Sequence, residues 1–345
     1  MILPLQSLRF IFAIMIFLHH FPINGIDVFA AGGDCGMAFF MILSGFVLSA
    51  GYREKVLQDN FSGKKFFFNR FVKIYPVHLL CLLFFILVLS ESHTAQIFRN
   101  HLSNFLLIQS WNPNKVYYFN GNDVSWFLSD LIFFYLMFPA IIRIKNLIPL
   151  KWRPAALIPV FAIYFAAVFN VDEAQNQALI YINPAFRIVD FIIGTFLYDL
   201  YDYIIHSDKR TKNFSLNSNL YEICAVILFA GVILMSPAVP EKIRFASLYW
   251  IPSCILILIF ALGGTLHGGI LSKALSNKRL AALGSISFCF YMVQKMIIDY
   301  FTDAETGLDL HWSLQMAFCF AAALLIGWLL HILIEKPVAK LLRIK

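Results

Sequence analysis

Apolar residues in this chain do not alternate with polar ones. They run together, in ten stretches near residues 4–22, 37–52, 74–92, 124–142, 155–170, 183–203, 219–236, 247–266, 282–300 and 312–334. Each is about long enough to cross a bilayer as a helix. A lipid-embedded segment must satisfy its own backbone N–H and C=O groups, which selects helix over isolated strand. The pattern therefore predicts an all-α, polytopic transmembrane bundle of about ten spans. No internal repeat, low-complexity tract or soluble domain interrupts it, so residues 1–345 are read as one integral-membrane domain. The first apolar stretch has no basic segment before it, so it is expected to be retained rather than removed as a signal peptide. The longest segment between spans, about 93–123, carries an apolar patch at Phe105–Ile108 and then Trp111. It is expected to lie on the membrane surface.

Charge fixes the orientation. Of 27 Lys and Arg, twenty fall in the loops and tail of one side. Arg99, Lys115, Lys242 and Arg244 fall on the other, and Arg9, Arg187 and Lys295 lie within spans. Lys and Arg concentrate in cytoplasmic loops, so both termini are expected in the cytoplasm. The net charge of +7 is then a mark of topology and gives no reason to expect nucleic acid as a partner. A composition 60% hydrophobic and 14% charged excludes an ordinary soluble domain. Six cysteines without ligand or disulfide spacing predict neither a metal centre nor a disulfide framework.

Polar groups inside spans are the candidates for chemistry, because lipid penalises them. Arg9 and His20 lie eleven residues apart, on one face of a helix and about 16 Å apart along its axis. They would suit a reaction that spans the bilayer, and equally an arginine and a histidine reaching the two interfaces. The stretch KKFFFNRFVKIYP (64–76) gathers Lys64, Lys65, Arg70 and Lys73 against the membrane. Such a cluster fits anionic lipid or a phosphate-rich cytosolic ligand. Arg187 and Asp190 are three apart, fit for a structural ion pair or a substrate contact. Asp130 lies near the outer end of the fourth span, and Gln294 and Lys295 lie in the ninth. His78 and His331 read as core histidines.

Seven segments, in order, resemble the membrane-bound acyltransferase-3 family, the bacterial O-acyltransferases of surface polysaccharides and related acceptors. SLRFIFAIMIFLHHF carries its arginine, ten residues, then histidine, at Arg9 and His20. AFFMILSGFVLS (38–49) is similar to FF-x-LSGF, and NRFVKIYPVHLL (69–80) to R-x-x-R-I-x-P. WFLSDLIFFYLMFP (126–139) resembles W-x-L-S…FYL-x-FP, and FRIVDFIIG (186–194) resembles R-x-x-E-F-x-x-G. LGSISFCFYMVQ (283–294) resembles LG-x-IS-x-x-x-Y-x-x-H, and LIEKP (333–337) resembles the closing IE-[KR]-P. The chain departs from the pattern at Lys73 for arginine, Leu131 for glutamate with Asp130 beside it, and Gln294 for histidine.

The resemblance implies transfer of an acyl group, most often acetyl, from acyl-CoA to a hydroxyl. The acceptor would be a sugar, a polysaccharide or a lipid-linked glycan. No cofactor is expected beyond the acyl-CoA substrate, and membrane lipids are the surrounding partners. His20 is then the expected base or transient acyl carrier, and Arg9, counted with it as catalytic, is a buried cation on the donor side. Arg70, Lys73 and Lys65 are the expected donor-binding groups. Arg187, Asp190 and Asp130 are substrate contacts or structural groups, and the protein is placed in the bacterial inner membrane. The competing class is a transporter or lipid flippase, which would suit ten spans with buried charges but commonly shows an inverted repeat.

Overall fold

The structure is a computed structural model that describes residues 2–23, 26–89, 101–303, 307–308 and 310–342. Arg99, Arg343 and Lys345 of the loop count lie outside the described residues. Ten long helices follow one another: α1 (Leu3–His20), α2 (Ala31–Val56), α3 (Gly63–Phe84), α4 (Trp126–Leu147), α5 (Arg153–Phe169), α6 (Pro184–Ile205), α7 (Asp208–Met235), α8 (Trp250–Thr265), α9 (Lys278–Thr302) and α10 (Trp312–Leu330). Among the described residues, nine helical segments are long and apolar enough to cross a membrane. A tenth crossing is α6 with the preceding Glu173–Ile182 turns, bent by 45°. The bend falls at Asn183 and Pro184. Proline is favoured in the first turn of a new helix, and Asn183 caps it by accepting from the Ala185 N–H at 2.9 Å.

The bundle is the one the apolar runs predict, with longer helices. The second run, 37–52, becomes a helix over 31–56, and the third begins at Gly63 rather than residue 74. Hydropathy marks where lipid begins. Helical hydrogen bonding continues past that point until something stops it. At α3 the stop is Ser62, whose hydroxyl accepts from the Lys65 N–H. Arg70 and Lys73 therefore sit on a regular helix, one turn apart on one face. The segment 101–125 folds into short turns held to the bundle by Tyr75 Oη to Phe105 O and by His78 against Asn104 O. Leu102, Leu106, Ile108 and Trp111 remain exposed along it.

The interior divides into two apolar cores, and α1 contributes to both. Ala13, Ile16 and Phe17 pack with residues of α4, α9 and α10. Leu5, Leu8 and Phe12 pack with residues of α2, α6 and α8. Glycine permits the close approaches. A Cβ at Gly284 of α9 would collide with the Gln6 carbonyl of α1. Gly45 of α2 and Gly194 of α6 meet the backbones of Phe191 and Ile42 in the same way. Without a hydrophobic drive between helices in lipid, such contacts and their dispersion energy hold the bundle.

This predicts that Gly194→Val destabilises the fold by overpacking, by about 1–3 kcal/mol. Gly231→Ala, in α7 with no atom within 4 Å of the new methyl, is expected to be neutral or stabilising by up to about 1 kcal/mol. Thermal unfolding in detergent measures both. Equal melting temperatures for the two variants would refute the close-contact account.

Candidate active site

Arg9 leaves α1 on the basic side of the bundle, near the Gln6 amide oxygen at 3.4 Å. It stands within electrostatic reach of Glu335 and Tyr135. Lys73 of α3 lies in the same neighbourhood, in reach of Arg70, Glu335, Arg9 and Tyr52. The Arg70 guanidinium lies over the Tyr52 ring, 4.5 Å from its centroid. Arg9 and Lys73 thus have Glu335 in electrostatic reach, and Arg70 joins them beside Tyr52 and Tyr135. The expected donor-side group of Arg9, Arg70 and Lys73 comes from two helices that are not adjacent in sequence. The fold joins all three because α3 and the end of α10 meet beside α1. Lys65 is exposed, about one and a half turns before Arg70. It does not share this cluster.

Glu335 and the two tyrosines had no assigned role. Glu335 stood in the LIEKP segment quoted for its resemblance, and that was its only signal. The helix of α10 widens there into a π turn over His331–Glu335. Such bulges re-aim side chains and are frequent at functional sites. His331 Nδ1 lies 2.6 Å from Glu335 Oε2, and Cys289 Sγ of α9 donates to the same oxygen at 3.3 Å. These three side chains lie within 4.8 Å of one another, a set able to hold a metal ion. No ligand spacing in the sequence signals such a set, because Cys289 arrives from another helix. The imidazole and the thiol hold the Glu335 carboxylate in place.

His20 closes the opposite end of α1. Its Nδ1 lies 3.4 Å from Gln294 Nε2 of α9. Gln294 is fully buried, and its Oε1 has no hydrogen-bond partner. A half-turn of this amide would place the oxygen on Nδ1 instead, so Gln294 can serve either neutral tautomer. Lys295 lies near His20 and is 3.9 Å from Asp123 Oδ2, with Asp299 on its other side. His19 turns away and packs against the backbone of Gly33 on α2.

Arg187 and Asp190 are both fully buried, with Nη2 and Oδ1 3.7 Å apart. Each is tied elsewhere. Arg187 Nη1 donates to the Phe245 carbonyl at 2.8 Å, and its Nε points at Met41 Sδ. Trp250 Nε1 donates to Asp190 Oδ1 at 3.0 Å. The pair thus joins α6 to α2, to α8 and to the segment before α8. Asp130 is buried near Ser110 Oγ at 2.9 Å, and its Oδ2 has no hydrogen-bond partner. It is in electrostatic reach of Arg187 and Asp190 rather than of His20. Leu131, beside it, packs into the apolar core.

For the Arg187–Asp190 pair we expect Arg187→Met and Asp190→Leu each to lower stability by about 3–5 kcal/mol, since each leaves a buried charge unpaired. The double variant should recover most of it. Unfolding midpoints of the four proteins in one detergent measure the cycle. A double variant no more stable than the worse single would remove the ion pair from the account.

The family model for an acyltransferase domain matches residues 4–332. Acyltransferase MdmB of Streptomyces mycarofaciens is 28% identical over 339 residues, spanning 90% of this chain and 82% of that protein. No solved structure matches the chain. The match takes in nearly all of α1, which carries Arg9 and His20, and runs on through α10. On that extent the chain belongs to the acyltransferase-3 family.

Proposed function

We propose that this acyltransferase moves an acyl group, acetyl in the simplest case, from cytosolic acyl-CoA to a hydroxyl of a sugar, polysaccharide or lipid-linked glycan. The carrying observation is the disposition of α1. Its basic-side end joins Arg9 to Arg70 and Lys73, and its other end holds His20 against Gln294. With the basic loops in the cytoplasm of a bacterial inner membrane, the cation cluster faces the compartment that contains CoA. CoA is polyanionic, and guanidinium and ammonium groups pair with phosphate oxygens. Tyr52, stacked on Arg70, holds the guanidinium in place as the ligand arrives.

Arg9 and His20 are about 16 Å apart along the axis of α1. The pantetheine arm of CoA would span part of that distance and carry the thioester towards His20. His20 takes the proton of the acceptor hydroxyl as its oxygen attacks the thioester carbonyl. A C–O bond forms, the C–S bond breaks, and the proton passes to the departing CoA thiolate. If His20 instead accepts the acyl group first, its ring nitrogen makes the first attack and the hydroxyl the second. Gln294 orients the imidazole in both cases. Lys295, Asp123 and Asp299 surround the hydroxyl side with groups that hydrogen-bond to sugars.

The assignment predicts that His20→Ala abolishes acyl transfer at equal expression, while His19→Ala retains it. Gln294→Leu should lower transfer by about ten- to a hundredfold through loss of ring orientation. Product formation from labelled acetyl-CoA by protein in nanodiscs measures all three. Loss only in His19→Ala would reverse the assignment.

At the donor end, Arg70→Ala should weaken CoA binding, and added salt should weaken it in the unaltered protein. Calorimetry with CoA reads both. Unchanged affinity in Arg70→Ala would move the donor site elsewhere. Lys73→Arg should be tolerated.

A further inference from the structure

A cavity of about 370 Å³ opens on the basic face, away from the cluster at Arg70. Its walls include Arg53 of α2, Arg153 at the start of α5, Asp199 and Asp202 of α6, and Arg210 of α7. Asp199 is nearly buried, yet it accepts three cations. Arg153 Nη1 is 2.9 Å from its Oδ2, while Lys145 Nζ and Arg53 Nη1 lie 3.2 and 3.6 Å from its Oδ1. Asp202 Oδ2 takes Arg53 Nη1 at 3.0 Å. Arg210 is bonded to the Tyr203 hydroxyl and lies over its ring.

Three cations of the walls, Arg53, Arg153 and Arg210, together with Lys145 bound behind Asp199, outnumber the two carboxylates by two. Glu54, Lys55, Asp208 and Lys209 adjoin in sequence, and none of them lines the cavity. Lys145 and Arg153 have side chains only 2% and 11% exposed, so water screens this excess poorly. The guanidinium groups are also underused. Arg53 meets both carboxylates through Nη1 alone, and Arg210 reaches Tyr203 through Nη2 alone. Each guanidinium offers five N–H donors. Asp199 and Tyr203 hold Arg53, Arg153 and Arg210 in position, which lowers the entropic cost of engaging an anion.

We propose that this cavity binds a phosphate monoester, presented by a cytosolic nucleotide or by an anionic lipid headgroup. A dianionic phosphate cancels the excess charge and accepts from the free nitrogens of Arg53 and Arg210. The site stands independently of the acyl-donor reading, because the lipid source does not involve the donor.

The test uses the full chain in phosphatidylcholine nanodiscs. Calorimetry measures adenosine 3′,5′-bisphosphate, and native mass spectrometry measures retained phosphatidic acid. Arg53→Gln combined with Arg210→Gln should weaken one of these ligands about tenfold. Asp202→Asn should tighten the same ligand, a gain that misfolding does not produce. Weakening of the nucleotide identifies a nucleotide site, and weakening of phosphatidic acid alone identifies a lipid site. Unchanged binding of both in the arginine variants overturns the proposal. So does nucleotide binding that is lost only in Arg70→Ala, an outcome that leaves the donor site of the preceding section intact.

Discussion

A cation in the hydrocarbon layer survives only where protein, another charge or trapped water replaces bulk solvent. Much of the polar architecture here follows from that cost. Arg9 has Glu335 in electrostatic reach, and Arg187 is met by Asp190 and a backbone carbonyl. Lys145 is met by Asp199 and the Thr195 carbonyl. The rule extends to anions. Glu222 lies buried in α7 and accepts the N–H groups of Gly269, Leu271 and Ser272, at the start of the short helix Ile270–Leu275. Backbone dipoles there do the work of a counter-ion. Each pairing joins elements far apart in sequence, so charge neutralisation also fixes which helices are neighbours.

The same cost separates the pairings into two kinds. Arg187 is met by Phe245, Met41, Asp190 and the Tyr181 ring, although its Nη2 makes no hydrogen bond among the described residues. Arg9, Arg70 and Lys73 are different. Arg9 and Lys73 have a single carboxylate, Glu335, in electrostatic reach among the described residues, Arg70 stands beside them, and all three remain partly accessible. A structural ion pair approaches neutrality, whereas a binding site for an anion keeps a surplus. That contrast, more than the presence of charge, supports the proposal of a polyanionic substrate at the cluster of Arg9, Arg70 and Lys73.

The bundle was legible in the sequence because a membrane imposes one period and one length on every span. The boundaries were not. Hydropathy loses contrast at the headgroups, where Ser62 and Asn183 end helices by hydrogen bonding instead. Arg9, His20, Arg70 and Lys73 were visible because a charged or titratable residue stands out against an apolar run. Glu335 and Tyr135 did not stand out, since one sits at a span end and the other among aromatics. Asp199 and Asp202 were readable as carboxylates at the basic end of the sixth span. Their meaning depends on Arg53 and Arg153, which the loop count had already explained as orientation signals. Lys65 shows the converse, because closeness in sequence to Arg70 leaves it exposed on another face of the helix.

The two ends of α1 differ in what they can stabilise. At the basic side the surplus is positive, and the hydrogen-bonding groups are guanidinium, ammonium and phenol. That set favours bound phosphate and would hold a cationic or neutral acceptor poorly. At the other end, His20 is flanked by an amide, a lysine and two carboxylates. This mixture is close to neutral and offers both donors and acceptors, as a polyhydroxyl ligand requires. The rigid spacing between them comes from α1 itself, an unbroken helix wedged between two cores and pressed against Gly284. An anionic donor and a hydroxyl acceptor could therefore occupy opposite faces of the membrane at once, with one helix fixing the distance that the acyl group must cross.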